Sequence, residues 1–258
     1  MNTIEDISLI QLLSAYIFII ILLFIVKRKG ISREREILIA SIRMTFQLIL
    51  VGYILTYVFK HSNPWLTIII ILLMELFAVY NIFKRSKETI SSELKWYITI
   101  SLFIGTIATI LYFDFVVINF MPWYDPRYFI PISGMIIGNA MTGINLGVNT
   151  LIEGMKSKRH LVESALMLGA TPKEASKAIV NQAFDAAILP TINSMVGMGI
   201  VFLPGMMTGV ILSGADPLVS IKYQIAIVLG ITGSVSLSVF LFIQFGYKTF
   251  FTNRAQLK

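Results

Sequence analysis

Apolar residues in this chain run in blocks rather than alternating with polar ones, and each block is close to the roughly 20 residues that carry a helix across a bilayer. The first, Ile7 to Val26, closes on Lys27-Arg28-Lys29; the second, from about Ile37 to Phe59, ends at the turn signal His61-Ser62-Asn63-Pro64. Trp65 to Phe83 forms a third and ends in Lys84-Arg85-Ser86-Lys87. Leu94 to Phe113 forms a fourth, with Trp96 and Tyr97 at one end and Tyr112 at the other, where interfacial aromatic belts belong. Met121-Pro122-Trp123-Tyr124-Asp125-Pro126 reads as a loop or interfacial turn. The fifth run, about Tyr128 to Leu151, carries Gly134, Gly138, Asn139, Thr142, Gly143, Asn145, Gly147 and Asn149, a composition for close helix packing or for a break lining a pathway. A sixth begins near Ile188 and is interrupted by Leu203-Pro204-Gly205-Met206-Met207-Thr208-Gly209; a seventh runs from about Tyr223 to Phe245.

The pattern predicts an all-α, polytopic transmembrane bundle in one domain, residues 1–258, with about seven spans, or six if the interrupted fifth and sixth runs are counted otherwise. Charge supplies the orientation. Glu5 and Asp6 precede the first run, whereas Arg33 and Arg35, Lys84 to Lys87, Lys156, Lys158, Arg159 and His160, and Lys248, Arg254 and Lys258 fall in alternate gaps. The positive-inside rule then puts the N-terminus outside and the C-terminus in the cytoplasm, in the cell inner (cytoplasmic) membrane. A signal peptide would carry its positive charge ahead of the first run and a small-residue cleavage site after it, and neither is present. Composition agrees: 56% of residues are hydrophobic and only 14% charged, against about 25% charged in soluble domains. The net charge of +7 sits in the topogenic clusters, which points to lipid rather than nucleic acid as the surroundings. The chain has no cysteine, which removes disulfides, thiolate metal sites and cysteine catalysis together.

One long internal segment, residues 152–187, breaks the apolar rhythm with helical character. Leu161, Val162, Ala165, Leu166 and Leu168 make an apolar stripe, with Lys158, Arg159, Glu163 and Ser164 largely off it. Gly169 stands where a helix end needs a left-handed residue, and Thr171, Pro172 and Glu174 form a capping box with proline at the first helical position. The next helix carries Ala175, Ile179, Ala183 and Ala186 on one face. This predicts a cytoplasmic helical hairpin between spans five and six, either a docking surface for a cytoplasmic partner or an interfacial pair that merely connects spans.

Candidate chemistry is sparse. The chain contains no Gly-x-x-x-x-Gly-Lys-[Ser/Thr], so it has no phosphate loop of its own. Its two histidines, His61 and His160, fall in turns on opposite sides, which excludes a multi-histidine site within one chain. Arg43 lies about seven residues from the internal end of span two and Glu75 about eight from that of span three, roughly 10 and 12 Å deep at 1.5 Å per residue. The matched depths predict an Arg43–Glu75 ion pair, with Gln47 one turn from Arg43 on the same face; it either fixes helix packing or serves transport. Met195, Met198, Met206 and Met207, with Asn139, Asn145 and Asn193, are candidate pathway ligands or adaptable packing, and thioethers suit Cu(I) better than iron. The metal-binding residues, if any, stay unassigned. Asp125 and Asp216 are external acids able to attract a cation.

The pattern Glu163-x-Ala165-x-x-x-Gly169 resembles the EAA loop of ABC-transporter permeases, whose cytoplasmic coupling helices seat in a groove of the ATP-binding subunit. Ser164 departs from that pattern, and Asn181 and Gln182 stand where Leu-Pro follows the fitting Ile179; Ile188-Leu189-Pro190 comes nine residues later. More specifically, the whole chain is similar to the bacterial iron-export permease family, whose plant relatives are implicated in aluminium tolerance. The carrying residues are Glu163 to Pro172, Leu203 to Gly209, Asp216-Pro217 with Tyr223-Gln224, Arg43 with Gln47, and Gly138 to Gly143. The resemblance implies a permease subunit, not itself an enzyme, that works as a homodimer with a separate ATPase and exports iron or another metal. ATP and Mg would be bound by that partner and no cofactor by this chain; Glu163, Ala165, Gly169, Ala170, Thr171 and Pro172 would be the coupling residues. A membrane scaffold, or a transporter of a non-metal substrate docking its partner through the same hairpin, is the alternative.

Overall fold

The structure is a computed structural model and describes residues 7–86, 90–214 and 216–258. Glu5, Asp6 and Lys87, used above for orientation, lie outside those residues. Ten α-helices and no β-strand occur among the described residues: α1 Leu9–Ser14, α2 Ile17–Arg28, α3 Glu34–Lys60, α4 Pro64–Arg85, α5 Ser92–Tyr112, α6 Pro126–Ser157, α7 Arg159–Met167, α8 Pro172–Gly197, α9 Gly205–Leu212 and α10 Pro217–Gly246. A wider, π-helical turn, Phe113–Ile118, extends α5, and a 3₁₀ turn, Tyr247–Phe250, ends α10. Six stretches among the described residues are long and apolar enough to cross a membrane, the first formed by α1 with α2, the others containing α3, α4, α5, α6 and α10. The expected sixth span takes a different form. No new helix starts near Ile188: α8 runs unbroken from Pro172 to Gly197, so the second arm of the hairpin and the first half of that span are one helix. The chain then breaks and resumes as short α9.

Helix starts follow from local chemistry. α4, α6, α8 and α10 each open on a capping side chain followed by proline, whose missing N–H costs nothing in the first turn. Asn63 Oδ1 accepts from Trp65 N at 2.9 Å, Asp125 Oδ1 from Arg127 N at 3.0 Å, and Asp216 Oδ1 from Leu218 N at 2.9 Å. The two aspartates read as external cation attractors are therefore engaged as helix caps.

By compactness the chain divides into two units, residues 7–61 with 212–214, and 62–211 with 216–258. In the first, α2 packs on α3, and the Tyr16 and Thr45 hydroxyls are hydrogen-bonded. Val26, Ser41 and Val58 are buried, while Phe18, Phe24, Phe46 and Ile49 are exposed, a surface suited to lipid. In the second, α6 is the central post, touching α4, α5, α8 and α10. Its Ile136, Ala140, Ile144, Val148 and Leu151 are fully buried, close to one stripe of a 3.6-residue helix. α6 is continuous through the small residues of this fifth run; Gly143 and Gly147 serve close packing, whereas nothing lies within 4 Å of a Cβ built on Gly138. A Cβ on Gly143 would lie 2.9 Å from Val235 Cγ1 of α10 and 3.3 Å from the Ala187 carbonyl of α8, so both neighbours approach at a distance only glycine permits. α5 lies along α10 in the same way, with Gly105 of α5 against Ser238 of α10.

Candidate functional site

The hairpin is built by two consecutive end-motifs. α7 stops because Gly169 takes φ +93°, open to glycine at no steric cost. Ala170 N then donates to Ala165 O and Gly169 N to Leu166 O, both at 3.0 Å, the full pattern of a left-handed helix terminus. Two residues on, Glu174 N donates to Thr171 Oγ1 at 3.3 Å and Thr171 N to Glu174 Oε2 at 2.9 Å, closing the capping box. The Thr171 backbone N–H, then its hydroxyl, hold the Glu174 carboxyl below its ordinary range. A depressed carboxylate contributes stability above its unfolded value of 4.5 and loses it as pH falls through the folded value. Thr171→Ala should cost about 1 kcal/mol, the usual worth of a cap. Backbone amides of Glu174 and Ala175 should exchange with solvent faster in that variant at pH 7, whereas the difference from wild type should shrink as pH falls below 4.5 and the carboxylate is protonated.

Burial in the hairpin differs from the expected stripes. On α7 only Val162 is buried, and Leu161 is 58% exposed. On α8 the inward positions are Ser176, Ile179, Ala183 and Ala187; Ala175 and Ala186 are half-buried. The one-residue offset arises because α6 and α10 both press on α8, so its buried face is centred between them. Glu163 is tied to Arg159 on its own helix at 2.8 Å. Met167 and Leu168 stand 84% and 89% exposed at the tip, beside Gly169, an apolar knob that the stripe reading of α7 had partly turned inward.

The intramembrane candidates divide. Arg43 and Gln47 sit one turn apart on α3, both half-buried, in the first unit; Glu75 lies on α4 in the second, 3% exposed. Within its own unit Glu75 accepts the Thr106 hydroxyl of α5, and its Oε2 has no hydrogen-bond partner among the described residues. The pairing of Arg43 with Glu75 stands as a proposal. Sequence reading missed Asp114, 4% exposed in the π-helical turn, which lines the same roughly 10 Å³ void as Ser133 of α6. An acidic residue inside an apolar run was the available signal, but the fourth run was ended at Phe113, one residue short.

The pathway candidates do not converge. Asn139 is exposed and donates to Met135 O of its own helix at 2.8 Å. Asn145 accepts from Asn149 at 3.1 Å, one turn along the same helix. Asn193 is exposed on α8, and Met206 packs against the core. Met207 alone of the five, with Met195 and Met198, lines a cavity of about 420 Å³ between the end of α8, the break, α9 and α10. Among the described residues no three His, Cys, Asp or Glu side chains gather to hold a metal ion.

An all-helical bundle with six membrane-length helices and an apolar exterior defines a multi-pass membrane protein. Residues 9–251 match the family described as Uncharacterised protein family (UPF0014), and the chain belongs to that family. It is 36% identical to UPF0014 membrane protein YjkA of Bacillus subtilis, over 94% of this chain and 95% of that one. It is 34% identical to the Probable iron export permease protein FetB of Escherichia coli, over 94% and 92%. With Protein ALUMINUM SENSITIVE 3 of Arabidopsis thaliana it shares 32% identity over 95% and 88%. No solved structure gives a significant match.

Proposed function

We propose that this chain is the membrane-spanning permease subunit of an ABC transporter in the cell membrane, working as a homodimer whose hairpin receives the force of ATP hydrolysis from a separate cytoplasmic ATP-binding subunit. The observation that carries the reading is the tip: an exposed apolar pair, Met167 and Leu168, on a turn fixed at both sides by helix-end motifs and continuous, through α8, with the packed interior of the bundle. Exposed apolar knobs on a rigid mount are what a partner groove buries. The basic cluster Lys156, Lys158 and Arg159 beside the hairpin supports its placement on the cytoplasmic side. Iron is the first substrate to test, because the similar Escherichia coli chain bears the name of a probable iron export permease.

The test is reconstitution in proteoliposomes with the ATP-binding subunit that co-purifies with the chain. Wild type should raise ATP hydrolysis and move iron across the bilayer. Met167→Asp with Leu168→Asp should lower the stimulation at least 10-fold while thermal unfolding of the isolated chain stays unchanged. Unaltered stimulation in that variant would overturn the assignment of the tip; iron that stays put while ATP is hydrolysed would overturn the cargo alone.

A further inference from the structure

The stretch Leu203 to Gly209 has no part in the hairpin, yet Leu203, Pro204 and Met207 help to line the roughly 420 Å³ open cavity at the break after α8. Three elements each bring one thioether to its wall: Met195 from α8, Met198 from the break and Met207 from α9. Gln224 of α10 adds the carbonyl oxygen and amide of a side chain that is 6% exposed; Met207 is 8% exposed. The Thr232 hydroxyl, which donates to Val228 O at 2.8 Å, lies 3.3 Å from Met195 Sδ.

No carboxylate, imidazole or thiolate lines this cavity. Its donors are neutral, and all but one group are soft sulfurs. Hard cations keep oxygen ligands or water, whereas thioethers select the soft d¹⁰ ions. Charge argues in the same direction, since the cost of burying an ion rises with the square of its charge and nothing anionic here offsets it. A monovalent soft cation is the species that this set of donors fits.

We propose that the methionine-lined cavity at the break between α8 and α9 is a binding site for a soft monovalent cation, Cu(I) or Ag(I), held by the thioether sulfurs of Met195, Met198 and Met207. Gln224 supplies an amide oxygen as an auxiliary donor. The site does not depend on the hairpin reading: failure of iron movement leaves it standing, and failure of cation binding leaves the hairpin standing.

The experiment uses the full-length chain in nanodiscs, titrated anaerobically with Cu(I) held by a chromogenic chelator of known affinity. Wild type should withdraw one equivalent per chain. The triple variant Met195→Leu, Met198→Leu, Met207→Leu conserves side-chain volume and should bind at least 10-fold more weakly, with its metal-free unfolding temperature unchanged. Met206→Leu should match wild type, because Met206 packs against the core and does not line the cavity. No withdrawal by wild type, or equal withdrawal by the triple variant, means that the methionines are packing residues only and overturns the proposal. X-ray absorption on the wild-type Cu(I) complex gives a readout that needs no variant: a sulfur shell supports the site, and a shell of nitrogen and oxygen alone overturns it.

Discussion

Glu75→Lys is expected to abolish accumulation of the folded chain in the membrane, while Glu75→Gln should leave most of it intact. The carboxylate lies near the middle of α4, closed in to 3% exposure. The single Thr106 hydroxyl proton is shared between Glu75 Oε1 and Leu102 O, the latter at 2.7 Å, so the site favours an acceptor at 75. An ammonium there cannot accept from Thr106, and a charge misplaced at such depth costs several kcal/mol, a large share of the stability of a bundle this size. Glutamine keeps an oxygen for Thr106 and carries no charge; its unmatched N–H groups cost about 1–3 kcal/mol. Detergent-extracted yield by fluorescence-detected gel filtration reads both outcomes. The proposed pairing with Arg43 adds a sharper expectation: Arg43→Glu combined with Glu75→Lys should recover at least half of the wild-type yield. If the double variant is as poor as Glu75→Lys alone, the two residues are not partners.

The second large effect belongs to Gly105, where α5 meets α10. A Cβ built there would sit 2.8 Å from both the backbone N and the Cα of Ser238. Backbone atoms cannot rotate aside, so even alanine forces two long helices apart along a face that also buries Ile98, Leu102, Val239 and Phe242. Overpacking of this kind costs about 1–3 kcal/mol for one methyl group, and Gly105→Val should exceed that range. Thermal unfolding in a mild detergent should show a clear fall for Gly105→Ala and no cooperative transition for Gly105→Val. Ser238→Gly should not rescue either variant, because the obstruction lies in the main chain as well as in the serine side chain. Gly52→Ala is the control, since nothing lies within 4 Å of the added atom. If Gly105→Ala unfolds with Gly52→Ala, the close approach is unimportant.

The sequence speaks clearest where one residue type has one physical use. Asn63-Pro64, Asp125-Pro126, Thr171-Pro172 and Asp216-Pro217 each mark a helix start, and the Gly169 turn follows from the need for positive φ between two helices. Where several helices compete for one surface, sequence order alone misleads. The buried stripe of α8 passes through Ser176 and Ala187 rather than Ala175 and Ala186, because which face is inward depends on where α6 and α10 lie. The interruption expected at Leu203 to Gly209 lies instead at Met198 to Pro204, with Gly205 to Gly209 inside α9; the helix before it was misplaced too, since Ile188-Leu189-Pro190 looks like a boundary and Pro190 is carried inside α8. The asparagines of the fifth run looked convergent in sequence and are not, because Asn139 and Asn145 bond within their own helix. Met195, Met198 and Met207 come together only through the fold of the break.

The continuity of α8 has a mechanical meaning. Its 26 residues span about 39 Å at 1.5 Å per residue, with the hairpin turn at one end and Met195 close to the other. Between them Ala183 and Ala187 pack against Gly143 and Gly147 of α6. A displacement imposed on the turn, as the proposed coupling requires, would therefore reach the wall of the methionine cavity along one helix, and Pro190, which has no N–H for a bond to the preceding turn, is where that helix can bend.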